Sequence, residues 1–235
     1  MAKKKLQHFA EMKTFNCVFE PDNETMTGGN FYMKGNWHRD YFKNDNPITL
    51  ELGCGKGEYT IALAGMYPNR NFIGIDIKGA RMWRGAKTVE KSQMKNVAFL
   101  RMKIEFITSF FAPGEVDEIW LTFSDPQPRD RKGSKRLTAA RFLEKYAGIL
   151  TPHGSVHVKT DSDLLYRETM KTIREEAHKP IIHAEDIYGK DHNRFSLPQR
   201  EILSVKTFYE NKFLAENEKI KYIHFKLNEQ LYQNQ

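Results

Sequence analysis

Ile48-Thr49-Leu50-Glu51-Leu52-Gly53-Cys54-Gly55-Lys56-Gly57-Glu58 decides the fold of this 235-residue chain. Ile48–Leu52 reads as a strand, residues 58–67 read as a helix, and three glycines lie between them. Glycines in such a turn let the backbone approach a ligand and bring a helix N-terminus to bear on it. The alternation then continues. Strands are predicted at Asn71–Asp76, 97–100, 117–123 and 155–159, and helices at 79–91, 138–150 and 161–177, with a short helical piece at 104–111. A strand at 181–184, a polar loop at 187–200, a helix at 205–217 and a strand at 221–227 complete the chain. This order predicts one doubly wound α/β domain over residues 46–235 with a mainly parallel sheet. Residues 1–45 read as a polar, partly ordered arm, rich in Asn and Gly at Thr27-Gly28-Gly29-Asn30, with one short strand within 15–19.

The glycine spacing is G-x-G-x-G. It is not the dinucleotide pattern, because Glu58 stands where the third glycine would fall, and it is not a P-loop. Glu51, just before the glycines, disfavours a pyrophosphate and suits a cation. S-adenosylmethionine carries a sulfonium and an ammonium and no phosphate. Asp76 ends the next strand, where an acid can hold ribose hydroxyls. Together these residues favour S-adenosylmethionine over a nicotinamide dinucleotide. Cys54 lies inside the loop, as a small packing residue or as a thiol nucleophile; no nearby histidine marks a base for it.

Further on, Ser124-Asp125-Pro126-Gln127-Pro128-Arg129-Asp130-Arg131-Lys132 follows the apolar run Ile119-Trp120-Leu121-Thr122-Phe123. A carboxylate thus sits at the carboxyl end of a strand, where open α/β sheets bind ligands. Residues 126–141 hold six Lys/Arg against one Asp, net +5 of the chain's formal +7. Such clustering points to a polyanionic partner more strongly than the sequence pI of 9.2 does. A solvated charged loop is the other reading.

Cys17 and Cys54 are the only cysteines, so a disulfide framework is excluded. Apolar runs stay well short of the ~18 residues a membrane helix needs. Leu6 to Glu11, after Lys3, Lys4 and Lys5, is too polar for a signal-peptide core. A cytoplasmic protein is expected, with no membrane partner. His153 and His157 lack metal-ligand spacing, and no metal is expected.

The chain resembles the bacterial tRNA (guanine-N7-)-methyltransferases of the TrmB family. Five anchors carry the resemblance: Leu50-Glu51-Leu52-Gly53-Cys54-Gly55; Phe72-Ile73-Gly74-Ile75-Asp76; Phe123-Ser124-Asp125-Pro126 with Lys135-Arg136-Leu137; His157-Val158-Lys159-Thr160-Asp161; and Thr207-Phe208-Tyr209-Glu210. It implies a Rossmann-like S-adenosylmethionine-dependent fold with seven strands, the last antiparallel. The implied reaction moves a methyl group from S-adenosylmethionine to N7 of a variable-loop guanosine in tRNA. By position, Glu51, Gly53, Gly55 and Asp76 would hold the cofactor. Asp125 would touch cofactor and substrate and carry catalysis. Arg129, Asp161, Thr207 and Glu210 would handle the substrate nucleotide. Monomer and homodimer both occur in such a family.

Two departures stand out. Gln127 replaces a tryptophan common in the family, removing an aromatic that could stack near the base. A family acid near the adenine falls at Lys103, leaving either Glu105 or the backbone at Lys103 and Ile104 to hold that ring. Local alternatives also stand: Asp125 as a turn aspartate, Asp161 as a helix N-cap, and Thr207 with Glu210 as a capping box. At the level of the whole chain, the alternatives are a methyltransferase for another RNA or a small molecule, and a non-catalytic RNA-binding protein.

Overall fold

The computed structural model describes residues 2–26 and 29–233. Thr27 and Gly28 of the Asn- and Gly-rich stretch lie outside the described residues. The elements run α1 (Ala2–Met12), β1 (Val18–Phe19), α2 (Asn23–Met26), a π-helical turn (Trp37–Phe42), β2 (Ile48–Leu52), α3 (Glu58–Met66), β3 (Asn71–Asp76) and α4 (Gly79–Ser92). There follow β4 (Val97–Arg101), a 3-10 turn (Ile104–Ser109), β5 (Val116–Thr122), a second 3-10 turn (Asp130–Lys135), α5 (Ala140–Ala147), β6 (Leu150–Thr160) and α6 (Asp163–Glu175). Last come β7 (Lys179–Ala184), α7 (Leu197–Ser204), α8 (Phe208–Ala215), β8 (Lys221–Lys226) and α9 (Gln230–Gln233).

The strands form one sheet in the order β1-β4-β3-β2-β5-β6-β8-β7. All five residues of β2 are buried, as expected for a strand covered on both faces. Pairing is parallel from β1 through β6, and β8 runs antiparallel between β6 and β7. The chain leaves β2 toward β3 on one side and returns to β5 on the other. The carboxyl ends of β2 and β5 therefore flank the switch point where such sheets bind ligands. The antiparallel last strand agrees with the expectation. The eighth strand is β1, a two-residue edge that pairs Val18 with Phe99 and Phe19 with Leu100.

Residues 2–26 and 29–45 are more structured than a polar arm. Phe31, Met33, Trp37 and Phe42 are buried in the larger core cluster. Trp37 stacks on Phe111 at 5.6 Å, and its indole N–H donates to the Phe110 carbonyl at 3.1 Å. These residues follow neither a helical nor a strand period, so pattern reading misses them. Two other boundaries differ. The helix predicted to Leu150 ends at Ala147, and Thr151 to Gly154 fall inside β6. Here β5 pairs Val116 with Leu150 but Glu118 with Ser155, so the turn residues form an irregularity within the strand. The predicted polar loop contains the start of α7, whose capping box joins Ser196 and Gln199 with Pro198 in the first turn.

Trp37→Ala is expected to destabilise the protein by about 3–5 kcal/mol in urea denaturation, the range for a buried aromatic. A detachable arm would lose no more than about 0.5 kcal/mol.

Candidate functional site

The glycine loop is stitched to the end of β3. The amides of Gly53 and Cys54 both donate to the Ile75 carbonyl, at 2.8 and 3.0 Å. Gly53 and Gly55 have φ of 82° and 57°, a left-handed region that favours glycine. A Cβ added at either would meet nothing within 4 Å, so this backbone borders open space. Asp76 braces the loop: its two oxygens accept from Gly55 N–H at 3.0 Å and Lys78 N–H at 2.8 Å.

Glu51 is buried at the end of β2. One carboxylate oxygen accepts from the Thr122 hydroxyl at 2.5 Å. The other accepts from the Thr60 amide at 2.9 Å and from the Thr60 hydroxyl. Burial pushes the carboxyl up to about 7, against these hydrogen bonds, and the Asp76 charge adds to the rise. No cation pairs with Glu51 among the described residues. Burial, with Glu51 and Asp76 nearby, also pushes the Cys54 thiol well up. Cys54 therefore has no thiolate to offer as a nucleophile.

A cleft opens between these residues and the far side of the sheet. Glu51, the glycines and Asp76 form one wall; Thr122, Phe123, Thr207 and Tyr209 form the other. Just past Phe123, the Ser124 hydroxyl is buried with no protein partner. Asp125 is exposed, and one of its oxygens accepts from Gln127 N–H at 2.9 Å. Asp125 therefore makes the turn contact, with its other oxygen in no hydrogen bond among the described residues.

The six cations of the basic loop divide by role. Arg136 is buried: it donates to the Pro126 carbonyl at 2.9 Å and the Gln127 carbonyl at 3.3 Å, and pairs with Glu168 at 2.8 Å. Arg141 donates to the Ser134 carbonyl and lies over Phe142. Both pin the loop, Arg136 from inside and Arg141 from an exposed position. Arg129, Arg131 and Lys135 are exposed and Lys132 is half-buried.

Asp161 is not the cap of α6; Ser162 is, accepting from Leu165 N–H at 3.2 Å. Burial raises the half-buried Asp161 carboxyl. Thr207 caps α8, its hydroxyl accepting from Glu210 N–H at 3.2 Å. Glu210 does not complete a capping box. Its carboxylate turns inward to Lys159 Nζ at 2.8 Å, with both side chains 0% exposed, and accepts from the Tyr188 hydroxyl at 2.7 Å. Its second oxygen is buried without a protein partner. Lys159 also donates to the carbonyls of Leu203 and Val205, at 2.8 and 2.9 Å. Sequence reasoning assigned no role to Lys159 or Tyr188. The one signal on offer for Lys159 was its place in a strand where polar residues alternate with Val156 and Val158.

Glu105 sits exposed on the first 3-10 turn, beside Tyr146 and outside the cleft lining. Lys103 follows β4 directly in extended conformation, two residues after Arg101, the register partner of Asp76. Lys103 and Ile104, like Glu105, lie outside the cleft lining, so both alternatives for the adenine stand. His157 stacks between Trp120 and His224 and bonds the Tyr222 hydroxyl at 2.7 Å, and burial keeps it neutral.

Residues 45–223 match the family described as "Putative methyltransferase". A tRNA (guanine-N(7)-)-methyltransferase of Bacteroides fragilis (strain YCH46) is 49% identical over 97% of this chain and 87% of its own length. One from Christiangramia forsetii is 45% identical over 96% of this chain and 99% of its own. The chain belongs to the tRNA (guanine-N7)-methyltransferase family. Among solved structures, an antibiotic-related methyltransferase superposes with TM-score 0.58 at 16% identity, covering 86% of this chain and 96% of its own. The 16S rRNA methyltransferase KamB gives 0.56 at 15% identity, covering 78% and 88%. At these identities the likeness concerns the fold alone.

Glu51 sets a pH dependence. Its folded pKa of about 7 lies above an unfolded carboxyl's, so the folded state holds the extra proton. The contribution of Glu51 to the stability of the ligand-free protein should therefore fall as pH rises from about 4.5 to about 7, by about 3 kcal/mol at most. Burial holds His157, His178 and His224 below the usual imidazole range, which works in the opposite direction. Urea denaturation at pH 5 and pH 8 is therefore read as a difference: the stability of wild type relative to Glu51→Gln should fall between the two.

Proposed function

We propose that this chain transfers a methyl group from S-adenosylmethionine to N7 of a guanosine in the variable loop of tRNA, and that it works in the cytoplasm. The cleft between the glycine loop and the Thr207–Tyr209 segment carries this reading, with Asp125 two residues past its wall at Phe123. Names of relatives at 45–49% identity support the choice of tRNA and of N7.

The donor set fits a cation without phosphate. Glu51 is a buried carboxylate lacking a counter-ion, and the backbone at Gly53 and Gly55 borders open space. Glu51, Gly53, Gly55 and Asp76 would hold the cofactor, with Glu105 or the backbone at Lys103 and Ile104 toward the adenine. S-adenosylmethionine, when bound, supplies an electrophilic methyl on a sulfonium. Guanine N7 has a free lone pair, so no residue need remove a proton from it. The task left to the protein is alignment, which can contribute up to about 7–11 kcal/mol. Asp125 has one oxygen tied into its turn, leaving the other to accept from the guanine N1–H and amino edge. The same carboxylate stabilises positive charge as the purine becomes cationic. Asp161 and Thr207 position the nucleotide. Glu210 acts behind them, through Lys159 and the cap of α8. Arg129 and the exposed cations of the basic loop take phosphates.

The test is mass spectrometry of unmethylated tRNA incubated with isotopically labelled S-adenosylmethionine. A methyl at guanine N7 is expected; incorporation at another atom, or into small molecules only, overturns the reading. In the same assay Asp125→Ala should lower turnover by about 10²–10³-fold, the scale for losing one oriented charge-stabilising group. Cofactor affinity should weaken less.

Arg131→Ala combined with Lys132→Ala should weaken tRNA binding. It should also flatten the plot of log K against log salt by up to about two units. An unchanged slope would mark these as solvated cations only.

A further inference from the structure

Phe208 and Tyr209 are large aromatics left 55% and 45% exposed at the start of α8. Tyr209 lines the cleft, while Phe208 stands at its mouth. Their rings meet edge to face, 5.6 Å apart at 79°. Lys56 of the glycine loop lies over Phe208, with Nζ 4.0 Å from the ring centroid. Lys56 forms no ion pair among the described residues.

The Phe208 backbone is held firmly. Its N–H donates to Glu58 Oε2 at 2.8 Å, Thr207 before it caps α8, and Glu210 after it is anchored in the buried pair with Lys159. A ring held this rigidly in water loses little freedom on binding, and a cation on one face leaves the other for a flat partner. Along the same wall, the turn that follows Phe123 offers Gln127 and no ring.

We infer that the open face of Phe208 stacks a nucleobase of the tRNA next to the target guanine, with Lys56 taking the adjoining phosphate. This rests on the proposed activity toward tRNA. It assigns Phe208 to a flanking base because Tyr209, not Phe208, faces the cleft. Stacking of this kind is indifferent to which base is present, since every base has a π-face. It therefore contributes grip and orientation rather than sequence choice.

The experiment compares wild type with Phe208→Ala, Phe208→Leu and Phe208→Trp, using an unmodified tRNA transcript. The dissociation constant is read by fluorescence anisotropy, and methyl transfer is followed in parallel. Loss of one stacked base predicts a Kd about 10-fold weaker for the Ala variant. Leu should be nearly as weak as Ala, Trp should bind like wild type, and kcat at saturating tRNA should move much less than Kd. Unchanged binding in the Ala variant overturns the inference. So does a Leu variant as tight as wild type, which would mark apolar bulk rather than stacking. A loss confined to kcat would move Phe208 onto the target base and overturn the flanking assignment. Wild type that binds tRNA without methylating it would sink the proposed activity, while the binding series would still decide the role of Phe208.

Discussion

Glu51 is a carboxylate that the fold takes out of water without giving it a counter-ion. Burying such a group is costly unless hydrogen bonds answer it. The threonine hydroxyls that answer it come from the first turn of α3 and the last residue of β5. Three elements therefore converge on one side chain, and their convergence shapes the cleft. α3 can start close against β2 because the glycine loop turns tightly on the Ile75 carbonyl. The hydrogen bonds do not cancel the burial, since the carboxyl stays raised to about 7. A cation docking beside it would complete the balance, and a phosphate would worsen it.

The opposite wall depends on a different buried charge. A buried ion pair is weak evidence for stability, because desolvation opposes the attraction. What Lys159 and Glu210 provide is position. Lys159 rises from β6 and collects two carbonyls of the segment joining α7 to α8, together with the Glu210 carboxylate. That segment leads directly into Thr207, Phe208 and Tyr209. The sheet thus fixes both walls: one through a carboxylate on β2, the other through an ammonium on β6.

How much of this was legible follows from the range of each interaction. The period of apolar residues marked β2 through β5, and the glycines marked the loop, because both are local. The capping box at Ser196 was equally local, yet the polar run around it hid α7. Trp37 lacks any period: beside the nearby rings of Phe19 and Phe31, it is buried by Phe111 and the Phe110 carbonyl, more than seventy residues away. Glu210 shows the sharper limit. Its spacing from Thr207 fits a cap, and Thr207 does cap the helix, but the carboxylate answers a lysine on a distant strand. Arg136 and Arg141 looked like the rest of the cationic loop. Only their carbonyl partners show that these two also build the loop, Arg136 as a buried residue and Arg141 as an exposed one.

Charge is divided across this site. Glu51 at the end of β2 is buried and Asp76 at the end of β3 is half-buried, and they brace the helix behind the glycine loop and the loop itself. Lys56 and Arg81 line the same cleft, and the exposed Arg129, Arg131 and Lys135 make a basic rim on the loop after β5. A small cationic donor would dock beside the buried Glu51, while a polyanion would be held by the exposed cations. On the proposed reading the two meet at Asp125, which ends neither as a deep acid nor as part of the basic rim. Its exposure is then a requirement. A buried carboxylate there would resist ionising, as Glu51 does, and could neither receive the guanine edge nor offset the positive charge that appears on the purine.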